Sequence, residues 1–119
     1  MSVIYKDYSD SYTIQSASQS INVSVTIGDG QTGSYSIFLG KALMGTNDTA
    51  NIGTKATVAG QKATIVTTVM DTLEETNWTS ATITVTEGNT GVSKTFGPLS
   101  EQVPQNQDTC IYTLQISFS

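Results

Sequence analysis

The most regular pattern in the chain lies near its C-terminus, where every second residue from 110 to 118 is apolar: Cys110, Tyr112, Leu114, Ile116 and Phe118. Successive side chains of a β-strand point to opposite faces, so this alternation predicts a strand with one face in a hydrophobic core. The same phase places the thiol of Cys110 in that core, where cysteine behaves as a small apolar residue.

Several other segments carry comparable patterns. Residues 21–27 and 35–39 alternate and end at glycine, which predicts two further strands. Residues 62–70 are apolar on both faces, as expected for a strand in the middle of a sheet. Residues 81–86 and 92–96 are joined by Gly88-Asn89, which predicts a hairpin. Residues 12–14 predict one more strand, the weakly patterned residues 45–59 allow a short edge strand around Ile52, and no segment requires a helix.

These patterns predict seven or eight short strands separated by turn residues. Such spacing is typical of an all-β fold, and we expect an antiparallel two-sheet sandwich of Ig-like or jelly-roll-like type. Thr and Ser, which occupy 34 of the 119 positions, support this class because Thr favours pleated surfaces. The length allows one domain, which we assign to residues 11–119, preceded by an N-terminal arm or extra edge strand at residues 1–10.

The N-terminal arm is too apolar for a free tail. Val3, Ile4, Tyr5 and Tyr8 precede the first convincing strand, and we predict that they are interaction residues. Ordering such a segment has an entropic cost that a docking surface must offset. The surface is either the arm's own domain or a neighbouring subunit, and the sequence leaves both alternatives open.

The charged residues exclude several kinds of chemistry. The chain has ten acidic residues and five lysines, with no arginine or histidine, and its net charge is −5. A basic surface for nucleic acid or anionic membrane is therefore not expected. The usual general base and zinc ligand are missing as well, so we predict a non-enzymatic protein without a cofactor. The chain as given shows neither a signal peptide nor an apolar run of membrane-spanning length, and the compartment stays open.

Two features between residues 71 and 78 are candidates for ligand binding. Asp71, Glu74 and Glu75 are weak candidates for a calcium site, and a solvated turn is the favoured interpretation. Trp78 could stack on a sugar ring, although a single tryptophan in a small β domain more often fills the core. Trp78 is also out of phase with Ala81, which predicts a bulge or a strand that begins after it.

In composition and predicted fold, the chain resembles decoration, fibre and tail-associated proteins of phages and phage-like particles. It also resembles bacterial adhesion and carbohydrate-binding modules. The first resemblance implies a structural protein that joins other protein subunits through its sheet edges and N-terminal arm. The alternative is a small module that binds a glycan or calcium through the loops around Asp71 and Trp78. Fold alone does not decide between them.

Overall fold

A computed structural model describes residues 2–105 and 107–119 of the chain. Within these residues the chain forms nine strands and one short helix. Their bounds are β1 Val3–Tyr12, β2 Ile21–Ile27, β3 Thr32–Leu39, β4 Ala42–Thr46, β5 Ala50–Gly53, α1 Lys55–Val58, β6 Lys62–Met70, β7 Trp78–Glu87, β8 Ser93–Gln102 and β9 Thr109–Phe118.

The strands form two packed sheets, so the predicted all-β class is confirmed. The five-stranded sheet has the order β1-β9-β6-β3-β4, and the four-stranded sheet has the order β5-β2-β7-β8. The strand count differs from the seven or eight predicted, because β4 is too short to show a clear period. The β1–β9 pair is parallel, whereas the other pairs between the described strands are antiparallel. The five-stranded sheet is therefore mixed rather than purely antiparallel.

The hydrophobic core fills the space between the two sheets. In β9 the side chains at Cys110, Tyr112, Leu114, Ile116 and Phe118 are all buried, as the alternation predicts. β6 lies between β9 and β3, which confirms the central position predicted for this segment. The inward positions of β2 and β7 supply the opposite wall, with Val23, Ile83 and Val85 among the fully buried residues.

The predicted hairpin is present as β7 and β8, and both strands are longer than the pattern indicated. β7 begins at Trp78, and its pairing with β8 shifts register between Ala81 and Ile83. The shift lies after Ala81, and the pairing from Trp78 to Ala81 is regular, so the bulge or later strand start predicted between these two residues is wrong. The predicted edge strand around Ile52 is β5, and the single-turn helix α1 follows it.

Residues 13–20 carry the chain from the five-stranded sheet to the four-stranded sheet. This connection is held at its start because the Ile14 N–H donates to the Ser119 carbonyl at 2.8 Å, and Ile14 itself is buried. Among the described residues, no helix has the length and apolar character needed to cross a membrane.

Candidate functional site

The N-terminal segment lies on its own domain as β1, an edge strand paired in parallel with β9. Its inward side chains pack against the core: Ile4 and Tyr8 are half-buried and Tyr12 is buried. The ring of Tyr8 stacks on that of Tyr112, with 6.4 Å between centroids. In this chain the docking surface for the arm is therefore the arm's own sheet, and the strand continues two residues beyond the boundary expected at residue 10.

Two ion pairs join β1 to β8 across the open side between the sheets. The Lys6 ammonium lies 3.6 Å from Glu101, and the Lys94 ammonium lies 3.7 Å from Asp10. The Lys94 ammonium also donates to the Ser11 carbonyl at 3.0 Å. All four side chains are partly exposed, so each pair contributes at most about 1 kcal/mol. Their main effect is to hold the inward face of β1 over β8.

Among the described residues, no strand pairs with the opposite edge of β1. The Thr109 N–H donates to the Ser2 carbonyl, and the partner of Thr109 in the parallel ladder is Val3. In such a ladder each residue bonds to the two neighbours of its partner, so the even-numbered residues of β1 direct their N–H and C=O groups toward β9. The odd-numbered residues direct theirs away from it. We call the outward backbone groups of Val3, Tyr5, Asp7 and Ser9 the β1 edge.

An exposed apolar cluster lies beside the β1 edge on the outer face of the five-stranded sheet. Val3 and Met70 flank Thr109 on either side, and Tyr5 lies next to Ile111. The exposed fractions are 48% for Val3, 70% for Tyr5 and 41% for Met70. We call Val3, Tyr5, Met70 and Ile111 the β1 patch. The predicted interaction residues thus divide between two faces: Val3 and Tyr5 are available to a partner, whereas Ile4 and Tyr8 pack inward.

The acidic residues after β6 do not converge. Asp71 is fully buried, and its Oδ1 accepts a hydrogen bond from the Gln31 side-chain amide at 2.9 Å. Glu74 and Glu75 lie in an exposed turn. Within residues 2–105 and 107–119, no group of three or more Asp, Glu, Cys or His side chains is arranged to hold a metal ion.

Gln31 organises this loop. Its amide nitrogen donates to Asp71 and to the Trp78 carbonyl, and its oxygen accepts the N–H groups of Thr72 and Leu73. Because Gln31 is itself buried, these bonds fix the backbone between β6 and β7. No local pattern points to this role, since the partners of Gln31 lie about forty residues away.

Trp78 lies on the surface, so the expectation that it fills the core is wrong. It is 47% exposed on the outer face of the four-stranded sheet, and its partner on β8 is Gln102. Its phase explains the position: Thr79 and Ala81 point inward, so the even-numbered residues of β7 point outward.

Sequence reasoning missed two buried carboxylates, Asp108 just before β9 and Glu87 at the end of β7. Glu87 is fully buried and accepts hydrogen bonds from the Tyr12 hydroxyl at 2.5 Å and the Ser16 N–H at 2.7 Å. The Gln15 N–H also donates to it, at 2.9 Å to the nearer oxygen. Glu87 therefore ties the end of β1 and the following connection to the four-stranded sheet.

The ionisation of this cluster follows from its geometry. Burial alone would raise the pKa of the Glu87 carboxyl, but the bonds from Tyr12, Gln15 and Ser16 outweigh it and lower the pKa below its ordinary value of 4.5. Burial raises the pKa of the Tyr12 hydroxyl, and the bond to Glu87 raises it further. Outside this cluster, burial also raises the pKa of the Cys110 thiol in β9. Neutral tyrosine beside ionised glutamate is the arrangement that stabilises the fold at neutral pH.

Comparison with protein-family models, curated proteins and solved structures finds no match for this chain.

Proposed function

We propose that this protein is a non-enzymatic structural subunit that joins other protein subunits by strand addition at the β1 edge. The observation that carries the proposal is the open, regular edge of β1 with an apolar patch beside it. An exposed strand edge offers unpaired N–H and C=O groups to a strand of another chain.

The other three edges of the two sheets are less suited to strand addition. β4 has five residues and a register shift in its pairing with β3, and β5 has only four residues. β8 contains Gly97 and Pro98, and proline has no N–H to donate. β1 has ten residues, contains no proline and pairs with β9 without a register shift. Short, irregular or proline-containing edges are three of the common protections against edge pairing, and β1 lacks all three.

The strength of such an interface depends on the β1 patch. Each ladder hydrogen bond contributes about 1 kcal/mol net, so four outward residues give only weak association by themselves. Covering Val3 and Tyr5 adds apolar burial at about 25 cal/mol per Å². We expect association that depends on both the backbone edge and these two side chains.

The test is Ser9→Pro, which removes one outward N–H while leaving the bonds between β1 and β9 in place. Ser9→Ala keeps the N–H and is the matched control. We expect the native protein and Ser9→Ala to form oligomers in sedimentation velocity at high micromolar concentration, and Ser9→Pro to remain monomeric with a similar melting temperature. Oligomers that survive Ser9→Pro, or a native protein that is monomeric throughout, would contradict assembly at this edge.

The particle type also belongs to this proposal. The resemblance to tail-associated, fibre and decoration proteins supports a phage-like particle as the assembly, and the Ig-like or jelly-roll-like connectivity stays a prediction within it.

A further inference from the structure

Among the described residues, the strands of the four-stranded sheet direct no charged side chain to its outer face. Its outward positions on β2, β7 and β8 follow from the cross-strand pairs, which place paired residues on the same face. The accessible residues that these pairs place there are hydroxyl or amide residues together with one tryptophan: Asn22, Ser24, Thr26, Trp78, Thr82, Thr84, Thr86, Ser93, Thr95, Ser100 and Gln102. We call this set the hydroxyl face.

The absence of charge comes from the way these strands are oriented. The four strands contain three charged residues, Glu87, Lys94 and Glu101. Glu87 is buried between the sheets, and the other two pair with Asp10 and Lys6 of β1. A protein with a net charge of −5 thus directs every charge of this sheet away from one broad surface.

Trp78 stands at one end of the hydroxyl face, opposite Gln102. Its backbone is fixed because its N–H donates to the Thr76 hydroxyl and its carbonyl accepts from Gln31. From Trp78 to Thr86 the face extends for about 27 Å, with neighbouring strands about 4.8 Å apart. The indole of Trp78, whose backbone is fixed, therefore lies beside rows of neutral hydrogen-bond donors and acceptors on the same face.

The chemistry of the hydroxyl face selects among partner classes. An anionic or cationic ligand would find no opposite charge on it. A protein partner would find one large apolar side chain, whereas the cores of protein interfaces are rich in aromatic and aliphatic residues. A neutral ligand with many hydroxyl groups matches both features, since its hydroxyls can bond to Thr, Ser and Gln while its C–H surface packs on the indole.

We propose that the hydroxyl face binds a neutral polysaccharide chain, with one sugar ring stacked on Trp78. The site is the sheet face itself rather than the acidic turn at Glu74 and Glu75. It lies on the opposite side of the molecule from the β1 patch, so glycan binding and assembly at β1 do not compete for one surface.

The experiment is affinity electrophoresis of the full chain in gels containing xylan, mannan, mixed-linkage β-glucan or dextran, with polygalacturonate as the charged comparison. Trp78 is the only tryptophan, so its fluorescence reports occupancy of the site directly. We expect retardation by at least one neutral polymer, a change in Trp78 emission, and about tenfold weaker binding for Trp78→Ala.

A charge placed on the hydroxyl face supplies the matched control. Thr95→Lys introduces an ammonium on this face, and Thr46→Lys introduces the same group at an exposed position of β4. We expect binding to weaken in Thr95→Lys and to stay unchanged in Thr46→Lys.

Three results would overturn the proposal. The first is no retardation of the native protein by any of the four neutral polymers. The second is retardation that Trp78→Ala and Thr95→Lys leave intact. The third is that Thr95→Lys forms smaller oligomers than the native protein but binds the glycan equally well, which would make this face a contact between subunits.

Discussion

Replacing Glu87 by glutamine tests whether this buried carboxylate fastens β1 to the rest of the fold. The change keeps the size and shape of the side chain and removes its charge. The amide oxygen can still accept from Ser16 and Gln15, and the Tyr12 hydroxyl can rotate to accept from the new amide N–H. The number of hydrogen bonds is therefore nearly conserved, and the charge is the main loss.

The magnitude follows from the three donors. A hydrogen bond to a charged group contributes about 1.5–3 kcal/mol, compared with about 1 kcal/mol for a neutral pair. The substitution loses this difference in free energy at each of the three bonds. It regains part of the loss because a neutral amide costs less to bury than a carboxylate. The net destabilisation is about 2 kcal/mol. The pKa of Glu87 lies below its ordinary value, so the folded state favours the carboxylate over its neutral form. Replacing the carboxylate by a neutral amide is therefore destabilising.

The assay is urea unfolding at neutral pH, followed by far-UV circular dichroism. Glu101→Gln is the control, since it makes the same chemical change at a partly exposed ion pair with Lys6 and should cost less than about 1 kcal/mol. Equal losses of stability in Glu87→Gln and Glu101→Gln would refute the assigned role of Glu87.

The pH dependence gives a second readout of the same substitution. The folded pKa of Glu87 is lowered, so its contribution is present above pH 4.5 and is lost as the pH falls through the folded value. We expect the difference in stability between the native protein and Glu87→Gln to shrink as the pH falls below 4.5. A difference that stays constant through this range would contradict a lowered pKa.

Two further predictions concern the core and the loop before β7. Cys110 is fully buried, so a thiol reagent should label it far more slowly in the native protein than in urea, and rapid native labelling would contradict the inward phase of β9. Gln31→Ala should cost about 2–3 kcal/mol in urea unfolding and increase acrylamide quenching of Trp78, because the loop loses its bonds to Asp71 and the neighbouring backbone. Gln61→Ala removes one exposed side-chain bond and should change neither measurement, so matching effects would disprove the role of Gln31.

The sequence predicts the strands whose apolar positions alternate over a long run. β2, β6 and β9 lie where the pattern placed them, because burial on one or both faces leaves a local signature. β4 is a short strand at a sheet edge, and it buries too few side chains to show a period. The parallel partner of β1 lies more than one hundred residues away, so no local pattern could identify it.

The two errors in the candidate sites have a common physical cause. Trp78 and Glu87 both follow the phase of β7: Trp78 falls among the outward residues and Glu87 among the inward ones, with Ile83 and Val85. The chemical character of each residue suggested the opposite side. A large aromatic residue is usually buried and a carboxylate is usually exposed, yet the backbone phase is fixed by the neighbours. The alternation of β7 could have placed both residues on the correct faces. It could not show the hydrogen-bond donors from residues 12–16, which offset the cost of burying the Glu87 carboxylate.

The position of Glu87 also bears on how subunits would meet. A strand that swaps between subunits needs a connection that can open, and the connection after β1 is residues 13–20. This segment is closed by the bonds to Glu87 and by the bond from Ile14 to Ser119. Exchange of β1 would break these buried contacts in every subunit, whereas strand addition at the β1 edge leaves them intact. Assembly by addition is therefore favoured over exchange, and destabilising the connection through Glu87→Gln is expected to shift the protein toward exchanged dimers. Dimers absent from the native protein but present in Glu87→Gln, and dissociated only after unfolding, would demonstrate that shift, and a variant without them would show that the connection does not control it.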